Sequence, residues 1–494
     1  MNAHNANPQE NVTGNAMKTL ELTERLAEWA TDSRIEFTSS ALSRAADAVQ
    51  DTIGCIVAGA GDTGATQVRN ALRIYGDGAA SVIGAPTIAG GAGTASPWAA
   101  FANATAAHAL DFDDNFLPGI NHASAVLVPA LIALGQERGT SGQALLGAYV
   151  VGLELQAVLG RGFGRHHYDV GWHNTSTIGT VGAAGACARL LGLSSTQTLH
   201  ALSLGVSMAC GPKVQFGSPA KPMHAGVAAH HAVLAATLAE HGVSGRPDAI
   251  EGERGMIALF AAEPTTDWDA ILANLGAPLA IDEYGLSPKL YPCCGSAHRI
   301  LDGVLALQDR HGVQPTDISR VDALIGYGNK RNLCYDRPEQ EMEARFSLPY
   351  CVAVALSSKR LALGDFTPKA VHRDHIRDLL PLTEMRAMAP DAEGADPTAR
   401  LPHITTMHLK GGDVLTMEVL SPRGAIDNPF SDADKAQKFT DCCEGFIDSD
   451  RLADLSQALG HLTGVEDINT LTPLMAFDAG PGDRGERFER RHHA

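Results

Sequence analysis

The side chains of this 494-residue sequence that could do chemistry fall in four short segments. Asp111-Phe112-Asp113-Asp114 is an acidic run followed directly by Asn115, and His122 comes soon after a Pro118-Gly119 turn. A carboxylate with a histidine close behind can orient and polarise that imidazole for acid–base work. His173 lies in GWHNTSTIGTVGAAGA, a polar break that opens a small-residue helix. Lys221 and His224 occur together in GSPAKPMHAG, again at a helix start. An ammonium group beside a helix N-terminus makes a cationic pocket suited to carboxylates. Lys289 stands in SPKLYPCCGSAHRILDGV, with His298 nine residues later, where the texture of the chain changes. Domain junctions are preferred places for ligand clefts.

Other patterns carry less. Alone, the acidic run reads equally as a solvated helix end. Aspartate-rich runs of isoprenoid synthases hold Mg²⁺, but they work with a second acidic cluster that this sequence lacks. Gly59, Gly61 and Gly64 satisfy GxGxxG, yet the preceding segment has helical periodicity and no acidic residue follows at the right place. Ser218 and Lys221 form SxxK without the partner motifs of a serine acylase. The histidines show no repeated zinc-ligand spacing, so no metal site is expected. His166-His167 reads as loop surface and His230-His231 as structural. Cys293 and Cys294 have no evident base beside them and read as packing residues.

These groups must be positioned by a large, mostly helical framework. Hydrophobic residues make 45% of the chain and charged residues 19%, which allows two or three domains with ample core. The net charge of −18, without any basic block, speaks against nucleic acid or anionic membranes as partners. No uninterrupted run of about 18 apolar residues suggests a membrane span. Nine scattered cysteines suggest reduced thiols and a cytoplasmic setting. From about residue 21 to 262 the pattern is helical, with Ala45, Val49, Ile53 and Ile56 on one stripe. Ser194 and Gln197 form a capping-box signature, and Gly242 is placed to end a long helix. Beyond Pro288, Val321, Ala323 and Ile325 alternate as in a strand. ITTMHL and DVLTMEV flank a Lys410–Asp413 turn as a hairpin, and FSLPYCVAVALSSKRLALG, between that strand and the hairpin, reads as a helix. The expected organisation is a leader (1–17), a helical domain (18–287), a smaller α+β domain (288–420), a return to the helical domain (421–478) and a tail (479–494).

Taken together these segments resemble the MmgE/PrpD family, which includes 2-methylcitrate dehydratases, cis-aconitate decarboxylases and an iminodisuccinate epimerase. The resemblance runs through LAEWATDSRIEF, AVQDTIGCIVAG, DFDDN with NHAS, GWHNTSTIGTVGAAG, GSPAKPMHAG, KLYPCCGSAH and ARFSLPYCVAVAL. It implies a mainly α fold, a large all-helical domain with a smaller α+β lid, assembled as a homodimer with the site between the domains. It also implies a lyase that works on a small anionic di- or tricarboxylate without metal or organic cofactor. On that basis Asp111, His122, His173, Lys221 and Lys289 fall on catalytic positions, and Asn115, His224 and Tyr350 on substrate-binding ones. Asn115 stands where the family usually has Thr. His122 and His173 would exchange protons, Asp111 would orient, and the two lysines would bind carboxylates. An isomerase or epimerase on the same scaffold, or a carboxylate-binding protein without catalysis, fits the same residues.

Overall fold

Alanine and glycine on several faces of a helix let neighbours approach from every side, and the N-terminal half of the chain is built this way. The computed structural model describes residues 21–75, 77–85, 93–260, 266–394 and 396–479. The expected leader, and all but the first residue of the expected tail, lie outside them. Among the described residues, the frame of the larger domain includes α1 (Leu22–Thr31), α2 (Ser39–Gly59), α3 (Thr63–Leu72), α4 (Ser96–His108), α5 (Ala123–Arg138), α6 (Gly142–Asp169), α7 (Asn174–Leu190), α8 (Ser195–Met208) and α9 (Ala220–Glu240). The closest packing joins α4 to α9, α7 to α9 and α6 to α7. Gly182 shows why the residues are small: a Cβ there would lie 2.4 Å from Gln156 Cγ of the neighbouring helix.

The local signals in the sequence have clear counterparts. Ala45, Val49, Ile53 and Ile56 are all buried along α2. Ser194 and Gln197 make the capping box of α8, and Gly242 takes φ +87° just beyond α9. The GAGDTG stretch is a helix end, with α2 stopping at Gly59 and the Asp62 side chain capping α3. Helix α6 is long and apolar enough to cross a bilayer, but its apolar window is 89% buried inside the domain. Gly164 breaks its helical geometry, and the chain beyond turns His167 inward. His167 is therefore not loop surface: its ring nitrogens bond Phe260 O and Thr177 Oγ1.

The smaller domain is a four-stranded sheet with helices packed on it. Its strands are β1 (Ile318–Ile325), β2 (Thr383–Ala387), β3 (His403–Leu409) and β4 (Val414–Val419), in the order β2-β1-β3-β4. Strands β3 and β4 form the expected antiparallel hairpin, and Val321, Ala323 and Ile325 point into the core. The parallel edge strand β2 was not foreseen, because TEMRA is short and half polar. Helices His298–His311 and Leu348–Ser358 pack against each other and against this sheet. After β4 the chain returns, and helices Asp432–Cys443 and Ser449–Gly460 both pack on α2. The fold is mainly α, 58% helical, with a smaller α+β domain.

Candidate active site

Four helix ends meet where the two domains face each other. His108 is the last residue of α4, His122 and His173 immediately precede α5 and α7, and Lys221 lies in the first turn of α9. Three helix N-termini thus come together beside the cavity, each contributing the partial positive charge of its helix dipole. Local bonds fix the histidine backbones: His122 N donates to Thr175 Oγ1, and His173 N donates to Gly211 O. Beside them lies a cavity of about 220 Å³ lined by Asp111, Asn115, His122, His173 and Lys221 from the helical domain. Cys294, Ser296, Asn329 and Phe346 line it from the opposite side.

Asp111 is the electrostatic centre. It is a buried non-glycine residue at φ +51°, a conformation that costs energy and that its surroundings must hold in place. One carboxylate oxygen accepts from Lys221 Nζ, and the other lies 3.0 Å from Lys289 Nζ. Lys289 also donates to the Asp111 carbonyl at 2.9 Å. Burial alone would raise this carboxyl, but the two ammonium groups outweigh it and hold Asp111 well below the usual range. In turn, Asp111 and Asp113 outweigh burial at Lys289 and keep it charged. Lys221 Nζ lies over the adjacent rings of Phe216 and Phe346, 5.3 and 5.1 Å from their centroids.

The histidines form a second layer. Asp113 lies 2.8 Å from His108 Nδ1 and 3.4 Å from His122 Nδ1, and His122 Nδ1 also lies 2.9 Å from the Asp114 carbonyl. The His108 and His122 rings are 4.4 Å apart, with His173 5.8 Å from His108. His173 Nδ1 meets His224 Nδ1 at 3.1 Å, so one ring must donate and the other accept. Among the described residues, His108 Nε2 and His173 Nε2 are buried without a hydrogen-bond partner. Burial, reinforced by the nearby lysines, lowers the pKa of His108, His122 and His173. His224 is lowered to about 4. All four are neutral at pH 7, the form that can accept a proton. Asp114, on the far side of the acidic run, is raised to about 7 by burial despite a bond from Ser124.

The sequence-based residues thus divide. Asp111, Asn115, His122, His173 and Lys221 come together at the cavity. Lys289 is 1% exposed and reaches the cavity through Asp111, and His224 reaches it through His173. Tyr350 does not join them. It is wholly buried in the smaller domain, where its hydroxyl donates to the Asp365 carbonyl and its ring packs on Phe366. It belongs to that core because the first turn of its helix faces inward. Gly295 stands where a Cβ would lie 2.7 Å from Asn115 Nδ2, so its lack of a side chain leaves Asn115 room. Cys293 and Cys294 are buried, and burial pushes the Cys294 thiol up to about 11, which leaves it unreactive.

Two buried side chains beside the site escaped the sequence reading. His108 ends the Ala-rich helix before the acidic run, where ATAAHAL reads as core; its signal was Asp113, five residues on. Arg345, 1% exposed, donates to Leu110 O at 3.0 Å and to Pro292 O at 2.6 Å. It joins the segments that carry Asp111 and Lys289.

Ligand nitrogens of His108, His122 and His173 lie within 4.8 Å of one another, close enough to hold a metal ion. The Lys221 ammonium bears on all three rings and opposes a cation there. A carboxylate at the same place would be attracted by Lys221 and by the three helix N-termini.

Two family models cover most of the chain. The MmgE/PrpD N-terminal domain matches residues 24–269 and the MmgE/PrpD C-terminal domain matches residues 291–460. The chain belongs to the MmgE/PrpD family. Within this family it is similar to the cis-aconitate decarboxylase of Homo sapiens, 28% identical over 78% of this chain and 80% of that one. It is 27% identical to the mouse (Mus musculus) cis-aconitate decarboxylase over 89% of this chain and 90% of the relative. The cis-aconitate decarboxylase of Aspergillus terreus is 24% identical over 92% and 96%. The two family segments correspond to the two sides of the cavity, with Asp111, His122, His173 and Lys221 in the first and Cys294 and Ser296 in the second.

Proposed function

We propose that this MmgE/PrpD protein is a lyase that decarboxylates a small tricarboxylate of the cis-aconitate type, using side chains alone. The observation that carries this reading is the meeting of neutral imidazoles and a buried ammonium group at three helix N-termini beside one cavity. Such a place attracts carboxylates and holds bases ready to take or return protons. The similarity to cis-aconitate decarboxylases favours loss of CO₂ over loss of water.

When CO₂ leaves, the electron pair of the broken C–C bond stays on the substrate and spreads towards its remaining carboxylates. Lys221 stabilises that charge, and Lys289 supports it by holding Asp111 in place. One of His122 and His173 then delivers a proton to carbon. Both rings are neutral in the free protein, so the bound polyanion must raise one of them and draw in the proton it needs. His224 sets the tautomer of His173 through their shared Nδ1 contact. The family resemblance also favours a homodimer, which analytical ultracentrifugation would test.

Proton NMR in D₂O with cis-aconitate, citrate, 2-methylcitrate and iminodisuccinate tests the reading. A CO₂-depleted alkene product that incorporates deuterium is expected from cis-aconitate. Loss of water from citrate or 2-methylcitrate would replace decarboxylation with dehydration. Deuterium uptake without loss of CO₂ or water would make the protein an epimerase, and unchanged spectra would sink the substrate class. Lys221→Ala and His173→Ala should abolish turnover without unfolding the protein. Chelator-treated, metal-free protein should retain full activity; loss restored by added metal would overturn the side-chain mechanism.

A further inference from the structure

The inner end of the cavity is close to electrically neutral: Lys221 and Lys289 face Asp111 and Asp113, with neutral histidines around them. A tricarboxylate brings about three negative charges at neutral pH. Positive charge to match it must come from elsewhere in the cavity. The same cavity wall carries Arg165, Arg299 and Arg400, with Glu393 among them. The other lining carboxylate, Asp169, lies close to Lys213 and draws on its charge.

Two of the arginines are committed to holding the loop that follows β2. Arg165, from the kinked end of α6, donates to Asp396 O at 3.2 Å and to Ala399 O at 2.5 Å. It also lies 3.7 Å from Glu393 Oε2. Arg299 is 8% exposed and donates to Leu401 O at 2.7 Å. Arg400 is less engaged: its side chain makes one long bond, 3.4 Å, to Ser421 Oγ, while Asp427 and Glu393 attract it from nearby. Burial lowers both Arg299 and Arg400, and the three arginines share two nearby carboxylates, Glu393 and Asp427, which leaves one positive charge in excess. An entering carboxylate would relieve that excess and find a planar fork of donors.

We propose that this outer end of the cavity is a second carboxylate subsite, in which Arg400, backed by Arg165 and Arg299, holds the substrate carboxylate farthest from the histidines. The inference rests on the polycarboxylate reading above and deepens it: the subsite selects tricarboxylates over dicarboxylates, and Glu393 weakens binding by competing for the same cations.

Isothermal titration calorimetry of the full chain, with tricarballylate and glutarate as probes, tests this without requiring turnover. Wild type should bind tricarballylate more tightly. Arg400→Gln should weaken tricarballylate by about tenfold or more, the effect of one charge-assisted contact, and leave glutarate within about twofold. Arg400→Lys should recover part of the loss, and Glu393→Gln should tighten tricarballylate, which a purely structural role for this loop would not produce. Equal weakening of both probes, or of neither, by Arg400→Gln overturns the subsite. If wild type binds both probes equally and Lys221→Ala abolishes both, the subsite falls while the polycarboxylate reading stands. If neither probe binds wild type, both fall.

Discussion

The carboxylate of Asp111 bridges two buried ammonium groups: Lys221 on one oxygen, and Lys289 at 3.0 Å on the other. One lysine comes from the helical domain and the other from the junction between domains, so a single side chain ties the two halves of the site together. Asp111→Asn would leave both cations without a counter-charge. A loss of about 3–5 kcal/mol is expected, as for removal of one partner from other buried ion pairs. Urea unfolding at pH 7.5 measures it. Adding Lys289→Met to Asp111→Asn should return part of the stability, because one uncompensated charge is then gone. An unchanged unfolding midpoint in Asp111→Asn would mean that the bridge is not formed in solution.

His108 has no place in the sequence motifs but sits among the proton-handling groups, bonded to Asp113 and 4.4 Å from the His122 ring. His108→Gln should fold normally and lower kcat by about a hundredfold, in the range typical of a group serving general acid–base catalysis. A residue that merely filled space would leave kcat intact.

Burial and nearby lysines keep His122 and His173 neutral well below their ordinary pKa. The ring that delivers the proton must first carry it, so kcat/KM, which reports the free enzyme, should fall as pH rises, starting from a pKa below the ordinary histidine value of about 6.5. A kcat/KM that stays level through pH 6.5 and above would show that neither ring is the essential acid. Stability runs the other way: these rings resist protonation when folded, so their contribution falls as pH drops below about 6.5.

Asp114 works in the opposite direction. Its folded pKa of about 7 lies above the ordinary 3.8, so the folded protein holds a proton that the unfolded chain has released. Stability from this group is complete at acid pH and is lost as pH rises from about 4 to about 7. Asp114→Asn mimics the protonated acid and removes that slope. Calorimetric unfolding at pH 5.5 and 8 should show the variant gaining about 2 kcal/mol on wild type between the two. A constant difference across that range would refute the raised pKa.

Tyr350 lies outside the cavity, with its hydroxyl on the Asp365 carbonyl. Tyr350→Phe should cost about 1 kcal/mol through the lost hydrogen bond and leave kcat and KM unchanged. A large change in KM would return Tyr350 to the substrate-binding set.

The sequence by itself determined much of this protein, because helix formation is local. Periodicity placed α2 and α6, the Ser194–Gln197 capping box and Gly242 marked helix ends, and alternation marked β1 and the β3–β4 hairpin. Motif identity picked out Asp111, His122, His173 and Lys221, which the structure gathers around one cavity. Tertiary structure decided the rest, because direction and burial depend on which elements pack together. It turned Tyr350 and His167 into buried structural groups, and it added β2 through a parallel partner more than 50 residues away. It brought the end of α4 beside the start of α5, making His108 a partner of Asp113. It also set Arg165 of the helical domain against the loop after β2, where no spacing along the chain could have placed it.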